Sequence, residues 1–393
     1  MLKLLLYLSV KTKGMLTEIL WILFLVALLV QLFYILIIFG RLSFFHKGKI
    51  RNPISEQAEG VTVVIAAHNE RANLKNLIPI ICEQDYPNFD IMIINDRSTD
   101  GTKPLLERMM ATYPKLRTVT VNYTPDHVTS KKYALTLGIK VAKHDVLLLT
   151  DADCIPKSKD WITLMTRPIR EENKVFSLGF SQYQADSSLL NKWIQFETLW
   201  TAIQYMAFAL WKAPFMGVGR NLSYRKSFFM EKKAFKGLWQ IDCGDDDLFV
   251  NQYATGQNTA VVIDPESITL SQPKKNWKSY FTQKKRHFHA GKYYRTTDKP
   301  KIGLYVFSHL IFWISSISLL IFSVFGQKWE QFAVIIGIIL VRSILIHKIF
   351  TSARKKLEGI GQVFLTGFFD VMYLGYFWII GTLGYQSKRV RWK

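Results

Sequence analysis

Apolar and polar positions alternate along this chain in blocks that predict membrane helices at both ends and a folded domain between them. Ile19 to Gly40 carries no charged residue, a run long enough to cross about 30 Å of hydrocarbon as a helix. Ile302–Gln327 is free of Asp, Glu, Lys and Arg, 331–350 is apolar but interrupted by Arg342, and 359–385 is apolar around Asp370. In the middle, short apolar or β-branched runs at 61–67, 90–95, 116–122 and 145–150 read as strands. Helical patterns at 69–84, 101–113 and 130–142 separate them. Strand–helix alternation predicts an α/β domain with a mostly parallel sheet and helices on both faces. Ligands in such sheets bind beyond the carboxyl ends of the strands.

The predicted organisation is an N-terminal region 1–50 with a span near 19–40, a catalytic-type domain over 51–272, a basic amphipathic segment over 273–301, and a membrane region over 302–393. Arg41, Lys47, Lys49 and Arg51 follow the first span, and Arg354, Lys355 and Lys356 precede the last. By the positive-inside rule both flanks, and hence the central domain, are expected to be cytosolic. The same rule disfavours an outside location for the basic tail, so the last stretch, with Gly367, Asp370 and Gly375, is expected to be re-entrant.

Charge and cysteine content narrow the chemistry. Lys and Arg number 51 against 30 Asp and Glu, a net charge of +21, which suits anionic membranes or phosphate-bearing substrates. Cys82, Cys154 and Cys243 lie far apart without a CxxC pair, as expected of reduced thiols. No glycine-rich dinucleotide loop or P-loop is present. Ten Lys or Arg fall between Gln272 and Lys301 with Asp298 as the lone acid, interleaved with Trp277, Tyr280, Phe281, Phe288 and Tyr293. Next to a membrane span, such a helix is expected on anionic headgroups rather than on nucleic acid.

The strand tips carry the chemistry. Asp151 and Asp153 follow the fourth run; two carboxylates at that spacing repel unless a cation lies between them. The simple alternative is a solvated turn capped by an Asp, ahead of a helix starting near Pro156 and Ser158. Asp96 ends the second run as an acceptor-only group that can hold a base or ribose edge. Asp245, Asp246 and Asp247 precede an apolar helix start; one would serve the helix dipole, whereas three raise each other's proton affinity, as suits a general base.

Taken together, VIAAHNE (64–70), INDRSTDGT (94–102), SKKYAL (130–135), DAD (151–153), GVGRNLSYRK (217–226), GDDDLFVN (244–251) and QKKRH (283–287) resemble, in order, the motifs of the membrane-bound inverting family 2 glycosyltransferases. The branch includes cellulose, chitin and hyaluronan synthases and ceramide glucosyltransferases. His68, Asn95, Ser130 and His287 stand where the family more usually has Tyr, Asp, Gly and Trp. The resemblance implies a GT-A fold, Rossmann-like, and a metal site for Mg²⁺ or Mn²⁺ at Asp151 and Asp153. It implies Asp246 as the catalytic base, with Asp245 beside it as a further catalytic residue. Glu70, Asp96, Lys131, Asp151 and Arg286 would hold a nucleotide-sugar donor, a UDP-sugar by preference, and Arg220, Asn221, Gln283 and His287 would lie on the acceptor side. The expected activity is hexosyl transfer to a membrane lipid or lipid-linked glycan of the cell envelope, by an integral protein of the inner or plasma membrane. Two alternatives remain at this stage: a processive synthase working as an oligomer or with glycan-export or assembly partners, and an inactive scaffold that keeps the fold.

Overall fold

The computed structural model describes residues 2–45, 55–357 and 366–387. Lys47, Lys49 and Arg51, residues 359–365 of the last apolar stretch and the basic end of the chain lie outside the described residues. The chain opens on α1 (Leu2–Leu32), which passes through a π-helical turn at Phe33–Phe39 into α2 (Gly40–Phe44). The four predicted strands form as β1 (Val61–Ala67), β2 (Phe89–Asp96), β3 (Leu116–Val121) and β4 (Val146–Leu149). Helices α3 (Arg71–Cys82), α4 (Thr102–Thr112) and α5 (Ser130–Val141) separate them. There follow β5 (Cys154–Pro156), α6 (Trp161–Glu171), β6 (Phe176–Leu178), β7 (Ser181–Tyr183) and α7 (Leu189–Leu210). Next come β8 (Leu222–Arg225), α8 (Lys226–Glu231), α9 (Asp247–Tyr253), β9 (Thr259–Val261) and β10 (Thr269–Ser271). The last helices are α10 (Trp277–Ala290), α11 (Lys299–Phe325), α12 (Trp329–Lys356) and α13 (Thr366–Gln386).

A seven-stranded sheet runs in the order β3-β2-β1-β4-β8-β6-β9. β1 pairs in parallel with β2 and β4, whereas β8 runs antiparallel to β4 and β6. The near-continuous apolar strands are buried on both faces, as their composition requires. Val63, Ile65, Ile91, Ile93 and Leu148 pack with α3, α4 and α6, while Val64, Met92, Ile94, Leu147 and Leu149 pack with α5 and α7. β3, at the edge, is only partly covered.

A small second sheet, β5-β10-β7, stands beside the first. It corrects one expectation: residues 154–156 form a strand paired with β10, and the helix starts only at Trp161. The chain therefore leaves one sheet at Leu149 and enters the other at Cys154, and Asp151–Asp153 lies at that junction. All three cysteines are free thiols, as expected.

Four helical stretches, Gly14–Phe44, Lys299–Phe325, Trp329–Lys356 and Thr366–Gln386, are long and apolar enough to cross a bilayer. α13 is one unbroken helix across Gly367, Asp370 and Gly375. It runs alongside α10, Tyr376 against Tyr280 and Gly384 against Phe288. A Cβ at Gly384 would lie 2.7 Å from the Phe288 Cβ and 2.8 Å from the Lys285 carbonyl oxygen, so the close approach requires glycine.

Two of the charges that interrupt the C-terminal apolar stretches, Arg342 and Asp370, are partners. Arg342 Nη1 donates to Asp370 Oδ2 at 2.7 Å and Nη2 to Gln31 Oε1 at 2.8 Å. His309 Nε2 lies 3.2 Å from Asp370 Oδ1, so this polar cluster joins α1, α11, α12 and α13. Charges at such positions are tolerated when they pair inside a helix bundle. Arg342→Met leaves a buried carboxylate without its main partner and is expected to cost about 3–5 kcal/mol. Thermal unfolding of the detergent-solubilised protein should show it; an unchanged midpoint would remove the cluster from the stabilising contacts.

Candidate active site

The junction of the two sheets, the loop before α9, and α7 and α10 enclose a cavity of about 180 Å³. Lys131, Asp151, Asp153, Arg220, Asp245, Asp246, Gln283, Arg286 and His287 all line it. The turn after β4 presents the first acid pair: Cys154 N–H donates to the Asp151 carbonyl at 3.1 Å, which folds Asp151 and Asp153 toward one side. One carboxylate oxygen of each and the Cys154 sulfur lie within 4.8 Å of one another. Burial and then Asp151 raise the Asp153 pKa. Burial and then the two aspartates also push the Cys154 thiol well up, which keeps it protonated. What remains is a pair of crowded hard oxygen ligands, the chemistry that fits Mg²⁺ or Mn²⁺. Glu70 stands near enough that its own pKa is raised, first by burial and further by Asp153 and Asp151.

The second acid group is set by a different device. Gly244 adopts φ 75°, a left-handed turn that glycine makes at no steric cost, and it swings the chain into α9. Asp246 is the helix N-cap: its Oδ1 accepts from Asp247 N–H at 2.8 Å and its Oδ2 from Gly219 N–H at 2.5 Å. The preceding loop is held by Lys132, whose buried ammonium donates to the carbonyls of Ile241 and Cys243. Lys131, its neighbour, lies 2.9 Å from Asp245 Oδ2 and 3.5 Å from Asp151 Oδ1, so one cation bridges the two acid groups. Burial works against that charge, yet Asp151, Asp245 and Asp246 hold the Lys131 pKa above its ordinary value.

The three adjacent aspartates are thereby made unequal. Burial penalises Asp245, but Lys131 pulls its pKa below the usual range. Burial and then Asp245 raise that of Asp246. Asp247 is pushed up to about 8, by burial first and Asp246 second, although Tyr294 Oη donates to its Oδ2 at 3.0 Å. A carboxyl whose pKa is raised by folding keeps a proton that the unfolded chain releases. Its contribution to stability therefore declines as pH rises from the ordinary 3.8 to about 8. Thermal midpoints should fall across that window, and Asp247→Asn should flatten the fall; a parallel slope in the variant would assign the decline elsewhere.

Other expected residues take different places. Asp96 is fully buried, and its carboxylate accepts from Arg97 Nε at 2.8 Å and Nη2 at 3.2 Å. Neither it nor Glu70 lines the cavity. Asn221 is turned inward instead of toward an acceptor: Nδ2 donates to the Phe180 and Ser267 carbonyls at 2.8 and 2.7 Å, and Oδ1 accepts from Trp161 Nε1 at 2.9 Å. Its amide is used inside the fold. Arg220 does reach the cavity, stacked 4.4 Å over the Tyr183 ring. On α10, Gln283, Arg286 and His287 share the face toward the cavity. His287 is exposed toward the cavity, where desolvation by the surrounding protein and then the Lys284, Arg286, Arg220 and Lys131 cations lower its pKa.

Sequence reasoning missed Lys132 and the Glu197–Lys284 ion pair, both partners of which are buried. The doubled lysine at 131–132 was a signal for the first: successive residues on a helix point about 100° apart, so one faces the cavity and the other the loop.

A parallel sheet interrupted by one antiparallel strand, with acids gathered at the strand tips, is a GT-A glycosyltransferase architecture. Residues 62–231 match the sequence model of Glycosyl transferase family 2. The chain is 29% identical over 101 residues to the poly-beta-1,6-N-acetyl-D-glucosamine synthase of Staphylococcus epidermidis, covering 25% of this chain and 23% of the relative. It is 26% identical over 198 residues to the beta-monoglucosyldiacylglycerol synthase of a Nostoc species, covering 48% of this chain and 39% of the relative. The aligned stretches thus span well under half of either relative's length. Among solved structures, a mannosyltransferase from Pyrobaculum calidifontis in complex with GDP-Man and Mn²⁺ superposes with a TM-score of 0.54 at 16% identity, over 87% of this chain and 99% of the other. That likeness is one of fold.

Proposed function

We propose that the protein is a metal-dependent, inverting glycosyltransferase that moves a sugar from a nucleotide-sugar donor, a UDP-sugar by preference, to a hydroxyl of a membrane lipid or lipid-linked glycan. The observation that carries the reading is the placement of Asp151, Asp153 and Asp246 around one cavity. One wall of that cavity is α7, the helix packed against α12 and α13. The positive flanks Arg41 and Arg354–Lys356 support a cytosolic catalytic domain on an integral membrane protein.

The chemistry follows from the charges. The leaving nucleoside diphosphate gathers negative charge as the anomeric carbon–oxygen bond breaks. Asp151 and Asp153 would hold Mg²⁺ or Mn²⁺, which when bound neutralises that charge without proton transfer. Arg286 adds a planar, permanently charged donor for phosphate oxygens. Asp246 accepts the proton of the acceptor hydroxyl, whose oxygen bonds to the anomeric carbon opposite the departing diphosphate, and the configuration inverts. Lys131, which lines the cavity beside Asp151, lies on the donor side. Lys131 also keeps Asp245 ionised.

The relatives' names divide between a polysaccharide and a glycolipid product. The four apolar helices among the described residues are few to shield a polar glycan from lipid, which favours single addition over processive export. The test is full-length protein in lipid vesicles with Mn²⁺ and labelled UDP-sugars. Release of UDP with label in one extractable lipid supports the proposal, and a labelled polymer moves it to a processive synthase. No consumption of any donor in a broad panel returns the chain to a scaffold.

A further inference from the structure

One wall of the cavity carries chemistry that neither the diphosphate nor the general base uses. Thr198 and Thr201 reach it from α7, and Gln283 and His287, one turn apart, reach it from α10. Thr198 is 7% exposed and its hydroxyl has no hydrogen-bond partner among the described residues. A buried hydroxyl left unpaired is costly, and a ligand group that pairs it removes the cost. Thr201 Oγ1 donates to Glu197 Oε1 at 3.2 Å, which fixes the hydroxyl and leaves its lone pairs for an incoming donor. Glu197 is itself paired with Lys284, so the anion and cation beside this wall cancel. His287 adds an imidazole whose two ring nitrogens can give and take hydrogen bonds.

Hydroxyls, an amide and an imidazole suit a ligand that both gives and takes hydrogen bonds, and Arg286 beside them is already assigned to the donor diphosphate. Resting on the glycosyl-transfer reading of the cavity, we infer that α7 completes an acceptor subsite in which Thr198, Thr201, Gln283 and His287 bind a neutral polyol head group. The vicinal hydroxyls of a sugar unit are the chemistry it recognises, and Thr198 is a specificity-determining residue. α7 also packs on the membrane-type helices, with Phe196 against Phe350 and Phe369. A head group arriving on a lipid therefore meets this wall at the membrane side of the domain.

The experiment uses full-length protein in phosphatidylcholine vesicles with Mn²⁺ and the donor it consumes. Three acceptors are compared: vesicle-borne monoglucosyldiacylglycerol, soluble N-acetylglucosamine and a vesicle-borne polyprenyl phosphate. Transfer to the glucose-headed lipid and not to the polyprenyl phosphate is the expected result; transfer to the soluble sugar at equal efficiency would identify the source as a free sugar and keep the subsite. Thr198→Val should raise the acceptor KM about five- to tenfold with a smaller fall in kcat, and Thr198→Ser should restore it. Gln283→Leu, on the other helix, should raise the same KM. A folded Thr198→Val with unchanged acceptor KM, or preference for the polyprenyl phosphate, overturns the inference while leaving the transferase intact. Wild-type protein that consumes no donor overturns the transferase reading and the inference with it.

Discussion

Asp246→Asn should abolish sugar transfer, lowering kcat by about 10²- to 10⁴-fold, the usual worth of a positioned general base. The carboxylate is held by Gly219 N–H and Asp247 N–H, so its place in the cavity is fixed before any acceptor arrives. Asparagine can accept only one of those bonds and cannot take a proton at neutral pH, so donor binding and thermal unfolding must be followed beside turnover. Asp246→Glu supplies the control: it keeps an ionisable group but moves it by a methylene, and it should also be slow. Because folding raises the Asp246 pKa, through burial and then Asp245, the wild-type rate should fall as pH drops through that raised value and the base becomes protonated. A folded Asp246→Asn that turns over at the wild-type rate would take the base away from this residue.

Asp151→Ala should remove metal-stimulated turnover by about 10²- to 10³-fold, on the scale of losing one preorganised charge-stabilising group. The change has two physical parts. It deletes one of the two crowded oxygen ligands, and it frees Lys131 from its 3.5 Å contact, leaving that ammonium to Asp245 alone. Asp153→Asn tests the first part separately, since both carboxylates that contact Lys131 stay as they are. Titration of initial rate against Mn²⁺ should show a weakened metal dependence in both variants. Saturation at the wild-type metal concentration in both would place the ion, if one acts, away from this pair.

The parallel half of the fold was legible because buried strands are written as runs of β-branched and apolar residues. β1 spans Val61–Ala67 as read, and β2 to β4 differ only at their ends. The second half was less legible for a physical reason. β5, β6, β7, β9 and β10 have three residues each, too few for any periodicity to show. α7 is buried nearly all round between the sheet and the apolar helices, so it lacks the polar face that marks a surface helix. The acids were found because carboxylates at strand tips and helix starts need an explanation. Asn221 was misplaced because adjacency to Arg220 in sequence says nothing of direction: Arg220 reaches the cavity, and the next side chain points into the fold. Thr198 could not be singled out, since an unpaired hydroxyl is visible only when its neighbours are known.

The glycine-tight seam between α10 and α13 ties α13 to the cavity wall that α10 forms. Excising the central domain as a water-soluble fragment would strip Phe288 and Tyr280 of their backing and leave the stretch bearing Gln283, Arg286 and His287 without its brace. A fragment meant to keep the cavity intact is therefore expected to need α13.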